Sequence, residues 1–120
     1  MNNITVAISL AYHDRSITVL DNGKLVDIIL EDRISRKKYD YYFPLSSLNI
    51  LKSKYSKIDK FILINCYDNV EYKTVLQHIK KLEFDYNEII IGKVEDHHLY
   101  HAFAGFCSSK FDEATVLVID

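Results

Sequence analysis

The chain has 120 residues, 48% of them hydrophobic and 27% charged, and a net charge of −2. That length suits a single domain whose one core removes about two-thirds of the unfolded surface from water. The charge balance supplies no global field for nucleic acid or anionic lipid, no apolar run approaches the ~20 residues that span a bilayer, and "MNNITVAISLAYHD" lacks the basic region of a signal peptide, so the cytoplasm is the default compartment.

In chain order, "ITVAISLA" (4–11) and "SITVLD" (16–21) are rich in β-branched residues and read as strands. "DNGK" (21–24) is a hairpin signal, because Asn-Gly accepts the positive φ angles of a type I′ turn, and "KLVDIILEDR" (24–33) returns as the third strand. Pro44, the sole proline, stops any regular element before it and opens a helix over "LSSLNILKSKY". "KIDKFILINCY" (57–67) reads as a strand covered on both faces, since Phe61, Ile62, Leu63 and Ile64 follow one another without polar alternation. Val70, Val75, Leu76, Ile79 and Leu82 recur at helical spacing and predict a helix over 69–84. "EIIIG" (88–92) reads as a short strand, the histidine-rich segment after it as a helix, and "ATVLVID" (114–120) as a last buried strand.

The resulting order β-β-β-α-β-α-β-α-β predicts an α/β fold, a mixed sheet with helical crossovers. Cys66 and Cys107 lie in separate apolar stretches, which predicts buried thiols in a reducing compartment rather than a disulfide or a CxxC site. No repeat, low-complexity segment or interdomain linker interrupts the chain. Because it stops on Asp120 with no element to close its apolar last strand, it reads as the first part of something longer.

The chemistry concentrates in "EDHHLYHAFAGF" (95–106), which holds three of the five histidines. His97 and His101 are four apart, so on a helix they lie on one face, one turn apart, where both reach a single metal ion; His98 points about 100° away. Two imidazoles do not complete a site, and Asp120 is the candidate third ligand. The same spacing also suits an amphipathic helix whose Leu99, Ala102, Phe103 and Phe106 pack on the sheet.

"EDHHLYHAFAGFCSSKFDEATVLVID" (95–120) resembles the signature of O-carbamoyltransferases of the NodU and CmcH type, in which a His-His-x-x-His-Ala helix precedes a Ser-x-Phe-Asp-Glu-Ala segment and an apolar strand ending in Asp-Gly. "YHDRSITVLDNGKLVDIILEDRISRKKYDYYFP" (12–44) is similar to that family's opening: an aromatic-His-Asp, a strand, an Asp-Gly turn, then Glu-Glu-Arg-Phe-Thr-Arg-x-Lys and Phe-Pro. The two motifs sit at the two ends of the chain. Asp32 stands in for the family's second Glu, and "AGF" (104–106) for its usual Ser-Ala-Phe.

The resemblance implies the first lobe of an actin-like ATPase (ribonuclease H-like) fold, related to the tRNA threonylcarbamoyl transferases. It implies a complete enzyme that makes carbamoyl adenylate from carbamoyl phosphate and ATP at a C-terminal domain, then moves the carbamoyl group to a hydroxyl of a small-molecule acceptor. His97, His101 and Asp120 would ligate a divalent metal, iron rather than zinc, for Lewis-acid polarisation or anchoring of phosphates. His13, with Asp14, would line the carbamoyl and acceptor site, either as a base or as a loop histidine bonded to its own backbone. Lys38 would hold phosphate or developing negative charge. Arg33 and Arg36 would contribute to cofactor binding or form salt bridges that fix the loop. The second lobe and adenylate-forming domain would be partners, so these residues alone should not transfer carbamoyl groups. The alternative is a noncatalytic module that self-associates or complements a partner chain, with neither nucleic acid nor membrane involved.

Overall fold

A computed structural model describes residues 3–10, 14–38, 40, 45–65 and 70–119. Five strands form one mixed sheet in the order β3-β2-β1-β4-β5. They are β1 (Ile4–Ser9), β2 (Ser16–Asp21), β3 (Lys24–Leu30), β4 (Lys57–Ile64) and β5 (Asp85–Ile91). The first three make the antiparallel meander expected from the Asn22-Gly23 turn, where both residues have positive φ, 50° and 77°. β4 and β5 then add in parallel beside β1. It follows that β1, β3, β4 and β5 all point the same way and β2 alone runs against them. The segments that leave those four strands therefore emerge at one end of the sheet.

Alternation along the strands turns one face inward. Val6 and Ile8, Ile17 and Val19, Ile29, Phe61 and Leu63 form a core with Leu48 and Leu51 of helix α2 (Leu45–Lys54) and Tyr72, Val75 and Ile79 of helix α3 (Val70–Lys81). Each such fully buried aliphatic contributes about 1.5–3 kcal/mol. Asp27 on β3 lies 2.6 Å from Lys54 of α2 and holds that ammonium above its ordinary pKa by accepting its hydrogen bond. The contact is present at neutral pH, and the lysine's share of it is lost as pH rises through the raised lysine value.

Several expectations change. The third strand ends at Leu30 rather than residue 33, because its partner begins at Ser16 and the chain turns at Asp14, leaving no ladder beyond; Glu31–Ser35 coils into a short helix, α1. The described residues cover β4 fully on one face only. α2 and α3 lie against the side bearing Phe61 and Leu63, while Ile62 and Ile64 are half-buried and Ile28 and Ile90, in register with Ile62 through Thr18 and Ala7, are exposed. β5 starts three residues earlier than expected, where parallel pairing of Lys57 with Asp85 extends it. The last strand, 114–120, does not form over its described part: 114–119 joins no ladder, and its Val116 lines one cavity with Leu99, Phe103 and Phe106. Cys107 is exposed, not buried, because it lies on a helix that projects from the sheet; Cys66 lies outside the described residues.

One buried carboxylate joins two of these elements. Glu31, 3% exposed, accepts hydrogen bonds from the Ser46 N–H at 3.2 Å and from the Ser47 N–H and hydroxyl at 2.8 and 2.6 Å, capping the first turn of α2. Replacing Glu31 by Ala leaves three donors near the first turn without that partner. The expected cost is about 2–4 kcal/mol, read as a melting temperature about 10 °C lower by calorimetry.

Candidate functional site

Two groups of polar side chains occupy the end of the sheet where β1, β3, β4 and β5 terminate, the place where open α/β sheets take ligands. The first is an open cleft of about 520 Å³ lined by Asp14, Asp32, Arg33, Arg36 and Lys38. Four residues singled out in the sequence, Asp14, Arg33, Arg36 and Lys38, are thus brought together from the loop after β1 and the segment after β3. His13 precedes Asp14 in sequence and lies outside the described residues. The cleft carries three cationic and two acidic side chains, one net positive charge. Arg33 approaches Asp32 only loosely, at 4.0 Å, and its side chain is 79% exposed, so most of its donors face solvent.

Backbone strain sits in the same cleft. Asp14 has φ 56° and Arg36 φ 61°, both in the left-handed region that non-glycine residues enter at a cost of about 1–2 kcal/mol. At Arg36 the conformation ends α1, with its N–H donating to the Asp32 carbonyl at 3.0 Å. Beyond that turn the Lys37 N–H donates to the Ser35 hydroxyl at 3.3 Å, and Lys38 lines the cleft.

The second group follows β5. A 3₁₀ turn (Val94–Asp96) leads into helix α4 (His97–Ser108), as the histidine pattern requires. The His97 and His101 rings are 4.5 Å apart between centroids, at 84°, and His98 is 5.3 Å from His97. His98 and His101 also line a cleft of about 390 Å³ closed by Gly105 and residues 116–119. The imidazole pair is therefore assembled and suits a first-row divalent metal in donor type. It falls short in number: among the described residues no group of three His, Cys, Asp or Glu is placed to hold a metal, and Asp120 lies outside them. The alternative role for α4, packing on the sheet, does not hold. Leu99 and Phe103 are 49% and 56% exposed and no residue of the helix is fully buried.

The two groups do not merge. No residue lines both clefts, and β3 and β5, from which α1 and α4 follow, are four strand spacings apart, roughly 19 Å at ~4.8 Å each. Two structural contributors escaped sequence reasoning. Glu31 supports the cleft from below, and its signal was the Ser46-Ser47 pair after Pro44 in a helix start with no acid of its own. Gly92 is the other: a Cβ there would lie 2.9 Å from the Tyr100 hydroxyl and 3.2 Å from the Leu63 carbonyl.

Comparison with models of known protein families gives no match, and neither does comparison with curated proteins. The motif residues themselves therefore carry any functional reading.

Because Arg36 combines a strained backbone with a cleft cation, two variants separate those roles. Arg36→Gly is expected to melt higher than Arg36→Ala by about 1 kcal/mol, since only glycine adopts this φ freely. If the alanine variant is the more stable, the positive φ is not what residue 36 sustains.

Proposed function

We propose that the chain is the N-terminal lobe of the actin-like domain of an O-carbamoyltransferase, in which the basic cleft receives the phosphate-bearing carbamoyl donor and the imidazole pair contributes to a metal site. The observation that supports this most directly is the cleft itself: Asp14 shares one concave surface with Arg33, Arg36 and Lys38, which follow it by 19 to 24 residues in the one motif that resembles the family's opening. The element order adds support, since a three-stranded meander followed by parallel additions beside β1 fits a first lobe of that fold.

In this reading the donor is carbamoyl adenylate made elsewhere from ATP and carbamoyl phosphate. The acceptor hydroxyl oxygen bonds to the carbamoyl carbon, the bond from that carbon to the phosphate oxygen breaks, and AMP departs with the electron pair. The hydroxyl proton passes to a base, for which His13 is the candidate. Arg33, Arg36 and Lys38 stabilise charge on the departing phosphate and on the carbonyl oxygen; Arg does so with a planar fork, Lys as a point charge. Asp14 and Asp32 limit the field, so the cleft favours a small anion over a polyanion. A divalent metal, iron rather than zinc, held by His97, His101 and Asp120 would supply Lewis-acid polarisation or a phosphate anchor. The cytoplasm is the compartment this chemistry implies. No helix among the described residues is long and apolar enough to cross a membrane.

Titration calorimetry at low ionic strength tests the cleft. AMP and carbamoyl phosphate are expected to bind, with Lys38→Ala and Arg36→Gly each weakening affinity about tenfold, the value of one partly exposed charge-assisted hydrogen bond. Wild-type chain that binds neither anion would remove the support the cleft gives. Elemental analysis addresses the metal: weak loading by iron or zinc should fall in both His97→Ala and His101→Ala.

A second reading is favoured by one observation. Phe111, Leu117 and Ile119 are 70%, 80% and 83% exposed beside the exposed face of α4. A noncatalytic module that pairs with a second copy or a complementing chain would cover this surface. Size-exclusion chromatography over a dilution series separates the two: a stoichiometric dimer that survives dilution supports the module, and a monomer supports the lobe.

A further inference from the structure

α4 carries the imidazole pair, yet it buries no residue fully and packs chiefly on the 3₁₀ turn that precedes it. Its direction from the sheet therefore depends on few contacts, and the best defined lies at Tyr100, between the two histidines in sequence. The Tyr100 hydroxyl accepts a hydrogen bond from the Lys93 N–H at 2.9 Å, reaching back across the 3₁₀ turn to the end of β5. It occupies the space that a side chain on Gly92 would fill.

The point it grips is itself held firmly. The Gly92 N–H donates to the Leu63 carbonyl at 2.8 Å, and the Gly92 carbonyl accepts from the Tyr72 hydroxyl at 3.0 Å. Tyr72, 4% exposed and part of the core, also accepts the Asn65 N–H at 2.9 Å. A chain of hydrogen bonds thus runs from the core through Tyr72 to Gly92, and one residue further on Tyr100 attaches the helix to it.

We propose that Tyr100 is a positioning residue for the imidazole pair: its hydroxyl, docked on Gly92–Lys93, fixes the direction of α4 and so holds the pair, whose adjacency the helix itself sets, in one place relative to the sheet end. This rests on the reading of the pair as metal ligands for its functional meaning, though the positioning itself can be measured without metal. The sequence "IIIGKVEDHHLY" acquires a mechanical sense. The glycine makes room, the 3₁₀ turn sets the reach, and the tyrosine closes the joint. Partners that orient a ligating side chain from behind the first coordination shell commonly change metal affinity 10–100-fold when removed.

The test compares wild type with Tyr100→Phe, which keeps the ring and removes the hydroxyl, and with Gly92→Ala, which pushes the ring away. In the metal-free chain, proton NMR should show a cross-relaxation contact between the ring at position 100 and the α-proton of residue 92 that weakens in both variants. The melting temperature should move by less than about 4 °C in Tyr100→Phe, because a single exposed hydrogen bond is lost. In a cobalt(II) titration followed by visible absorption, both variants should bind about tenfold more weakly, and the double variant no more weakly than the worse single, since both act through one contact. An unchanged ring contact and unchanged cobalt affinity in Tyr100→Phe would overturn the proposal. So would a large fall in melting temperature with loss of helix, which marks a merely structural role. A ring contact that responds as expected in a chain that binds no cobalt would leave the positioning standing and remove the metal reading.

Discussion

The Glu31 carboxylate, seated on the first turn of α2, is the contact on which the cleft depends. A carboxylate at 3% exposure is costly unless its oxygens are satisfied, and here two backbone N–H groups and a hydroxyl supply that satisfaction at a helix N-terminus, where the field already favours negative charge. Its own N–H donates to the Arg15 carbonyl at 3.1 Å, so the same residue closes the β2–β3 ladder and caps the next helix. Asp32, Arg33 and Arg36 follow within five positions. Arg33 thus stands on a single turn of helix whose first residue is anchored in the interior, and Arg36 and Lys38 stand on the segment that leaves it. A five-residue helix has no stability of its own. Its side chains can be placed reproducibly only because Glu31 is fixed from below.

Strand direction decides what can share this end of the molecule. Since β2 alone is reversed, the loop after β1, α1 after β3 and the turn after β5 must open on the same side. Their order across the sheet keeps the cationic group, near β3, and the imidazole pair, beyond β5, at separate positions. A ligand that engages both must be extended, as a nucleotide with a transferable group is, or the two positions serve different molecules. The strained residues Asp14 and Arg36 both lie at the first position. Left-handed backbone away from glycine persists only where surrounding contacts enforce it, and a buried carboxylate a few residues away is such an enforcement.

How much of this was legible follows from which forces act locally. The meander was, because Asn22-Gly23 dictates a turn and β-branched runs flank it. α3 was, because its apolar stripe has helical period. Four of the five cleft residues, Asp14, Arg33, Arg36 and Lys38, were legible through their motif, although their convergence depends on a strand exit at Leu30 that no local signal marks; that exit is set by where β2 begins. Glu31 stood within the same motif, but its task is to satisfy donors fifteen and sixteen residues away, and spacing cannot reveal such a partner. Tyr100 was hidden for the same reason: its hydrogen bond crosses a turn whose 3₁₀ geometry is not encoded by any single residue.

Residues 114–119 were read as a strand from composition, and "ATVLVI" does have the β-branched content of one. Propensity of this kind measures how well side chains fit a pleated surface with neighbours, and without a neighbouring strand it has nothing to act on. The segment instead lies beside α4 with most of its apolar side chains in water. This conflict between local preference and realised structure falls on the element that leads directly to Asp120 in sequence. A metal ligand must be held to within about 0.5 Å, and the hydrogen bonds of a ladder are a common means of holding the backbone that carries it. Under the metal reading, then, giving this segment a strand partner and giving the imidazole pair its third ligand are one requirement, because the same backbone hydrogen bonds that would satisfy the strand would also fix the carboxylate.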